Sequence, residues 1–86
     1  MFDVVLTESA REAFEAADAA LQKKLDRCFG QLMNEPRRHN NIKALKGQFS
    51  GYLRYRVGDH RVVYRIDDSA ERVIVVDIAN RRDVYE

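Results

Sequence analysis

With 86 residues, 45% of them hydrophobic and 34% charged, the chain has the length and composition of one globular domain spanning residues 1–86, which excludes a disordered segment and a two-domain protein. The net charge of +1 hides an asymmetry: residues 1–35 carry four Lys/Arg against seven Asp/Glu, a balance of −3, and residues 36–86 carry eleven against seven, a balance of +4. A basic half of this kind attracts a polyanion or an acidic protein surface.

The single cysteine, Cys28, rules out an internal disulfide, and no Cys/His spacing resembles a zinc site, so no metal or cofactor is expected. The opening Met-Phe-Asp-Val-Val-Leu has neither the basic start of a signal peptide nor an apolar run long enough for a membrane span. A cytoplasmic protein with no membrane contact is the expectation.

Phe2 to Leu6 is a short apolar run broken only by Asp3, which predicts a first strand buried mostly on both sides. Thr7 or Ser9 can cap the helix that follows, and Ser9 to Glu12 has capping-box spacing. Ala10, Phe14 and Ala17 share one side of that helix, and Asp18 suits a break because the apolar register restarts at Leu21. From about Asp18 to Glu35, steps of four and three place Leu21, Leu25, Cys28, Phe29 and Leu32 on one stripe of a second helix, which Pro36 ends. Cys28 reads as a small buried hydrophobe on that stripe, and Met33 as the edge of the core. Residues 36–51 read as a polar connection, interrupted too often for a long element, in which Lys43 and Lys46 extend a basic surface and His39 is exposed.

Tyr52 to Asp67 reads as a β-hairpin turning at Gly58-Asp59. A two-residue loop there sets Val57 opposite His60, Arg56 opposite Arg61, Tyr55 opposite Val62, Arg54 opposite Val63, Leu53 opposite Tyr64 and Tyr52 opposite Arg65. Alternation then sorts the side chains onto two faces. Leu53, Tyr55, Val57, His60, Val62, Tyr64 and Ile66 form a core face, and Tyr52, Arg54, Arg56, Arg61, Val63 and Arg65 form the other. Like charges opposite one another cost stability in a sheet, a cost better understood at an anion-binding site than in a scaffold; the alternative is a solvated arginine face with no ligand. After a turn at Asp67 to Glu71, the β-branched run Arg72 to Ala79 predicts a strand inside the sheet. The order strand, helix, helix, strand, strand, strand predicts an α+β two-layer sandwich: an N-terminal strand, an antiparallel helix pair and a three-strand antiparallel meander, with the helices on one sheet face and the arginines on the other.

This order, the Leu45-Lys-Gly47 step, the run Arg-x-Arg-Val-Gly-Asp-x-Arg-Val-Val-Tyr-Arg-Ile from Arg54 to Ile66 and the closing Asn-Arg-Arg-Asp-Val-Tyr resemble the RelE/ParE superfamily of toxins from type II toxin-antitoxin pairs. RelE-like members are metal-independent endoribonucleases that cut messenger RNA in the ribosomal A site. The resemblance therefore implies a cofactor-free messenger-RNA interferase that inhibits translation, in which an RNA 2′-hydroxyl attacks the adjacent phosphate, leaving a cyclic phosphate and a free 5′-hydroxyl. It implies that Arg61 contacts the scissile phosphate, that Arg81 adds a second cation, and that Tyr85 acts as acid, base or stacking group. Arg54 and Arg56 match basic residues of the preceding strand; Arg65, Lys43, Lys46 and Tyr52 complete the implied RNA-binding surface. Relatives often carry lysine where this chain has Tyr52 and Arg54, and histidine where it has Asn80, so the arginines act electrostatically rather than as bases. Alternation places His60 on the core side, away from this chemistry.

The implied partners are a cognate antitoxin, the ribosome with its message, and operator DNA reached only through the antitoxin. A ParE-like toxin that poisons DNA gyrase without nuclease chemistry is the competing reading, and a degenerate member kept for antitoxin and operator binding is a third.

Overall fold

The computed structural model describes residues 1–80. Its elements run β1 (Asp3–Leu6), α1 (Glu8–Ala16), α2 (Ala19–Asn34), β2 (Ile42–Ala44), a 3-10 turn (Gly47–Phe49), β3 (Leu53–Val57), β4 (His60–Asp67) and β5 (Arg72–Asn80). The strands form one sheet in the order β1-β5-β4-β3-β2, antiparallel except for the parallel pair of β1 and β5. The three-strand meander expected from the sequence is present as β3 to β5. It is extended by β2, which the polar connection conceals because three residues are too few to show a period.

The hairpin register is the expected one from Leu53↔Tyr64 to Val57↔His60, including Arg56↔Arg61. Gly58 at φ +57° takes the first loop position, where a type II′ turn needs a residue that tolerates positive φ. The proposed partnership of Tyr52 with Arg65 is not part of the ladder. Tyr52 lies before β3, with its N–H donating to Phe49 O (3.0 Å) and its carbonyl accepting from Leu45 N–H (2.9 Å). Its carbonyl thus continues the contact with the β2 side, while its N–H closes the 3-10 turn.

One further expectation is corrected, and a choice between two candidates is decided. β1 is not buried on both sides: it lies at the sheet edge, where Asp3 is exposed and Val5 is 39% exposed on the face away from the core. Of the two candidate caps of α1 it is Thr7 that is used, and Ser9 lies inside the helix. The Thr7 hydroxyl accepts the Ala10 N–H at 3.3 Å and itself donates to the Val76 carbonyl at 3.1 Å, while the Thr7 N–H donates to Val75 O at 2.9 Å. Asp18 caps α2 as expected, its Oδ1 accepting the Leu21 N–H at 2.8 Å.

Those Thr7 bonds fall at the one irregularity between β4 and β5. Val63 pairs with Asp77 and Tyr64 with Val75, leaving Val76 as an extra residue in β5. The bulge reverses side-chain parity along β5: Val73 and Val75 point into the core before it, Ile78 after it, and Asp77 is delivered to the outer face beside Val63.

The core lies between the helices and the inner sheet face. Ala10, Leu25, Cys28 and Leu32 from the helices meet Tyr55, Val57, Val62, Tyr64, Val73, Val75 and Ile78, with Leu21 and Phe29 packed at the margin. Phe14 and Phe29 join α1 to α2, their ring centroids 5.9 Å apart and tilted at 41°. Tyr64 is wholly buried, and its hydroxyl donates to the Pro36 carbonyl at 2.6 Å, fixing the chain where α2 has ended. Arg37 then pairs with Asp68 through two hydrogen bonds, of 3.1 and 2.8 Å. That pair is exposed, so it orients the connection more than it stabilises the fold.

Burial pushes the Cys28 thiol up to about 12 from an ordinary 9.0, and burial raises the Tyr55 and Tyr64 phenols as well. Below pH 9 the folded and unfolded thiols are both protonated and the full stability is present. Above it the unfolded chain loses the proton that the folded chain keeps, so stability is lost as pH rises from 9 towards 12, more steeply once unfolded tyrosines ionise near 10. Urea midpoints taken from pH 7 to 11 should stay level up to pH 9 and then fall, and Cys28→Ala should soften the first part of that fall. A thiol-specific reagent at pH 8 should label Cys28 only after denaturant is added.

Candidate functional site

The outer sheet face, opposite the helices, is built by cross-strand pairs that share a side. Lys43 in β2 pairs with Arg54 in β3, Arg54 with Val63 in β4, and Val63 with Asp77 in β5. One step towards the hairpin loop, Arg56 pairs with Arg61 and Arg61 with Ala79; one step the other way on β4 stands Arg65, opposite Ile74. Lys43, Arg54, Arg56, Arg61 and Arg65 are therefore brought onto one surface, as alternation predicts.

The surface is not uniformly open to solvent, and this departs from the expected bare arginine face. Arg54 is only 7% exposed, and its Nη1 donates to the Asn41 carbonyl at 2.6 Å. The same carbonyl accepts the Arg56 N–H at 3.0 Å, and the Asn41 side-chain amide donates to the Arg56 carbonyl at 3.1 Å. Arg54 thus ties the connection to β3 and sets the local field from below the surface. Arg56 and Arg65 are exposed, Arg61 is half-buried, and Val63 and Ala79 are buried between them. Lys43 and Lys46 are exposed beside the chain reversal into the 3-10 turn.

Arg56 and Arg61 stand directly opposite with like charge, so Arg56→Thr should raise stability by about 0.2–1 kcal/mol. Urea denaturation at low salt should show the gain, and 0.5 M salt should erase most of it.

His60 is half-buried on the helix side, lining a shallow hollow with Asp18, Leu21 and Lys24, on the face opposite the arginines as expected. His39 is exposed, but it is employed: its ring stacks on Tyr55 with centroids 5.1 Å apart, and its Nδ1 accepts the Asn41 N–H at 3.1 Å. Arg81 and Tyr85 lie outside the described residues. No three His, Cys, Asp or Glu side chains gather into a metal-binding cluster among the described residues.

The reading from sequence missed a cleft of about 360 Å³ on this face. It is lined by Ser9 of α1, Gln48 and Phe49 of the 3-10 turn, Tyr52, Val63 of β4, and Val76 and Asp77 of the bulge. Strict alternation from Val73 and Val75 points Asp77 inward, so only knowledge of the bulge reveals it; the Phe49 and Tyr52 aromatics inside a polar connection were the available signal.

A small α+β domain with two helices on one face of a five-stranded mixed sheet and a row of cations on the other is the class that fold and surface define. The chain belongs to the ParE toxin family of type II toxin-antitoxin systems, parDE, whose model matches residues 4–85, and so to the RelE/ParE superfamily. Toxin RelE of Mycobacterium tuberculosis is 44% identical over 57 residues, a stretch that covers 66% of this chain and 57% of that protein. Toxin RelG of the same organism is 30% identical over 79 residues, covering 92% of this chain and 88% of that one. A chain of the toxin-antitoxin complex RelBE2, also from Mycobacterium tuberculosis, superposes with a TM-score of 0.79 at 27% identity, over 93% of this chain and 98% of its own. Among the described residues no helix is long and apolar enough to cross a membrane.

Proposed function

We propose that this chain is a ribosome-dependent messenger-RNA endonuclease that needs no metal and works in the cytoplasm. The observation that carries the reading is the pairing of Arg56 with Arg61 on the sheet face turned away from the helices, with Lys43, Arg54 and Arg65 on the same side. A scissile phosphate gains negative charge as the 2′-hydroxyl attacks it, and fixed cations stabilise that charge more than the starting charge, which lowers the barrier. Arg61 is assigned to the scissile phosphate. Arg56, Arg65, Lys43 and Lys46 are assigned to flanking phosphates, Arg54 to the field beneath them and Tyr52 to the RNA. Arg81 and Tyr85 are assigned, from the family motif, as the second phosphate cation and the proton-transfer or stacking group. Phosphate contacts give affinity without sequence information, which suits a cutter positioned by the ribosome.

The partners in this reading are the ribosome with its message and a cognate antitoxin, as the RelBE2 toxin has in its complex. Operator DNA is reached through that antitoxin alone. A segment that folds on binding and covers the arginine face with acidic groups would silence the toxin. The ParE description of the matching family favours a second reading, in which the chain poisons DNA gyrase by protein contacts. Induction of the chain in a host cell, with message ends mapped by primer extension and gyrase-DNA adducts measured in parallel, decides between them. Cuts in register with the reading frame support the nuclease. Adducts with intact messages support the gyrase reading and overturn the first.

A further inference from the structure

Arg56 is the exposed member of the facing arginine pair, and Asn41 of the connection holds its main chain. The N–H and C=O of one strand residue point the same way, and those of Arg56 point towards β2, its N–H donating to the Asn41 carbonyl at 3.0 Å. Arg56 and Arg61 therefore face each other without exchanging main-chain hydrogen bonds, in the kind of pair whose side chains stand closest. β2 begins at Ile42, opposite Tyr55, so Asn41 stands on the next rung, opposite Arg56. A regular ladder would have the Asn41 N–H donate to the Arg56 carbonyl. It donates instead to His39 Nδ1 at 3.1 Å, and the Asn41 side-chain amide supplies the missing bond to the Arg56 carbonyl, also at 3.1 Å.

This exchange of a main-chain donor for a side-chain donor lets the chain leave the sheet at Asn41 while Arg56 stays bonded through both its N–H and its C=O. It also keeps the Asn41 carbonyl aimed at a second donor, Arg54 Nη1 at 2.6 Å, a short bond from a charged group. A guanidinium that is only 7% exposed needs oxygen partners of this sort, because an unmet buried charge is costly. The Asn41 side chain has one more contact: burial raises the Tyr55 phenol, and a hydrogen bond with Asn41 pulls it the other way. Ordering a long side chain on a phosphate costs entropy, and a main chain that is already fixed lowers that cost.

We propose that Asn41 is a positioning residue of the cationic face: its side-chain amide and its carbonyl hold the Arg56 main chain and the Arg54 guanidinium in the places from which they act on RNA phosphates. The role in RNA binding rests on the nuclease reading, whereas the hold itself is measured on the protein alone. Asn41→Ala removes the amide and keeps the carbonyl; Tyr55→Phe removes only the phenol hydroxyl that Asn41 also meets. In NMR spectra of the isolated full-length protein, the Arg56 amide should exchange with solvent about tenfold faster in Asn41→Ala than in the wild type, and at the wild-type rate in Tyr55→Phe. A 2′-O-methyl RNA tetranucleotide, which lacks the attacking hydroxyl and stays uncut, is then titrated by fluorescence anisotropy at low salt. Asn41→Ala should weaken its binding about fivefold, the worth of one hydrogen bond, and Tyr55→Phe should leave it unchanged. In a chain already carrying Arg56→Ala, the Asn41 substitution should weaken binding no further, since the two act as one unit. Unaltered exchange at Arg56 in Asn41→Ala, undiminished binding by that variant, or an equal loss with and without Arg56 overturns the positioning role. Faster exchange in Asn41→Ala, with a wild type that does not bind the tetranucleotide, would keep the hold and sink the nuclease reading.

Discussion

Arg61→Ala is expected to lower message cleavage on the ribosome by about a hundredfold or more, the cost of removing one preorganised donor from a site of developing charge. Arg61 stands at the start of β4, held between Arg56 and Ala79, so the sheet fixes its backbone on both sides. A side chain anchored in that way loses little entropy when it meets a phosphate. Arg61→Lys keeps the charge and loses the planar fork, and should fall between the wild type and alanine. Single-turnover cleavage of a defined message on purified ribosomes measures both, and a urea midpoint for each variant shows whether the fold is retained. Undiminished cleavage by a folded Arg61→Ala would remove this arginine from the chemistry, and the proposed centre with it.

The largest expected effect on stability belongs to Tyr64. Its side chain is fully buried in the core that the helices form with the inner sheet face, and its hydroxyl is the buried partner of the Pro36 carbonyl. Tyr64→Ala should cost about 3–5 kcal/mol for the lost packing and cavity. An 86-residue domain has a total stability of roughly 4–13 kcal/mol at typical values per residue, so this variant should be largely unfolded at 37 °C unless a partner binds it. Tyr64→Phe isolates the hydrogen bond and should cost about 1–2 kcal/mol, because the Pro36 carbonyl is left buried without its donor. Urea denaturation followed by circular dichroism measures both. A Tyr64→Phe midpoint equal to that of the wild type would show that water satisfies the Pro36 carbonyl instead.

Much of this architecture was legible before any coordinates. The β-hairpin was readable because Gly58 fixes the loop and the loop fixes the register, so Arg56 and Arg61 fall opposite each other with no freedom to slip. The helices were readable because Asp18 and Pro36 mark their bounds and the stripe from Leu21 to Leu32 spans more than three turns. Elements whose identity depends on a distant partner were not readable. β2 exists because Ile42 to Ala44 lie beside β3, and the edge position of β1 is set by its pairing with β5. The Val76 bulge is met by the Thr7 hydroxyl, 69 residues earlier, a contact that no window of local sequence contains. Asp77 was overlooked for that reason, and the burial of Arg54 likewise depends on Asn41 from the connection.

The parallel pairing of β1 with β5 has a consequence for synthesis. Asp3 to Leu6 find their places beside Arg72 to Val75, so a chain leaving the ribosome carries β1 unmatched until residues 72–75 have been made. Contacts this far apart in sequence close late, after most of the loop entropy has been lost. Docking of β5 is therefore the step that both seats β1 and sets Ala79 beside Arg61, so the edge strand and the cationic face are completed together.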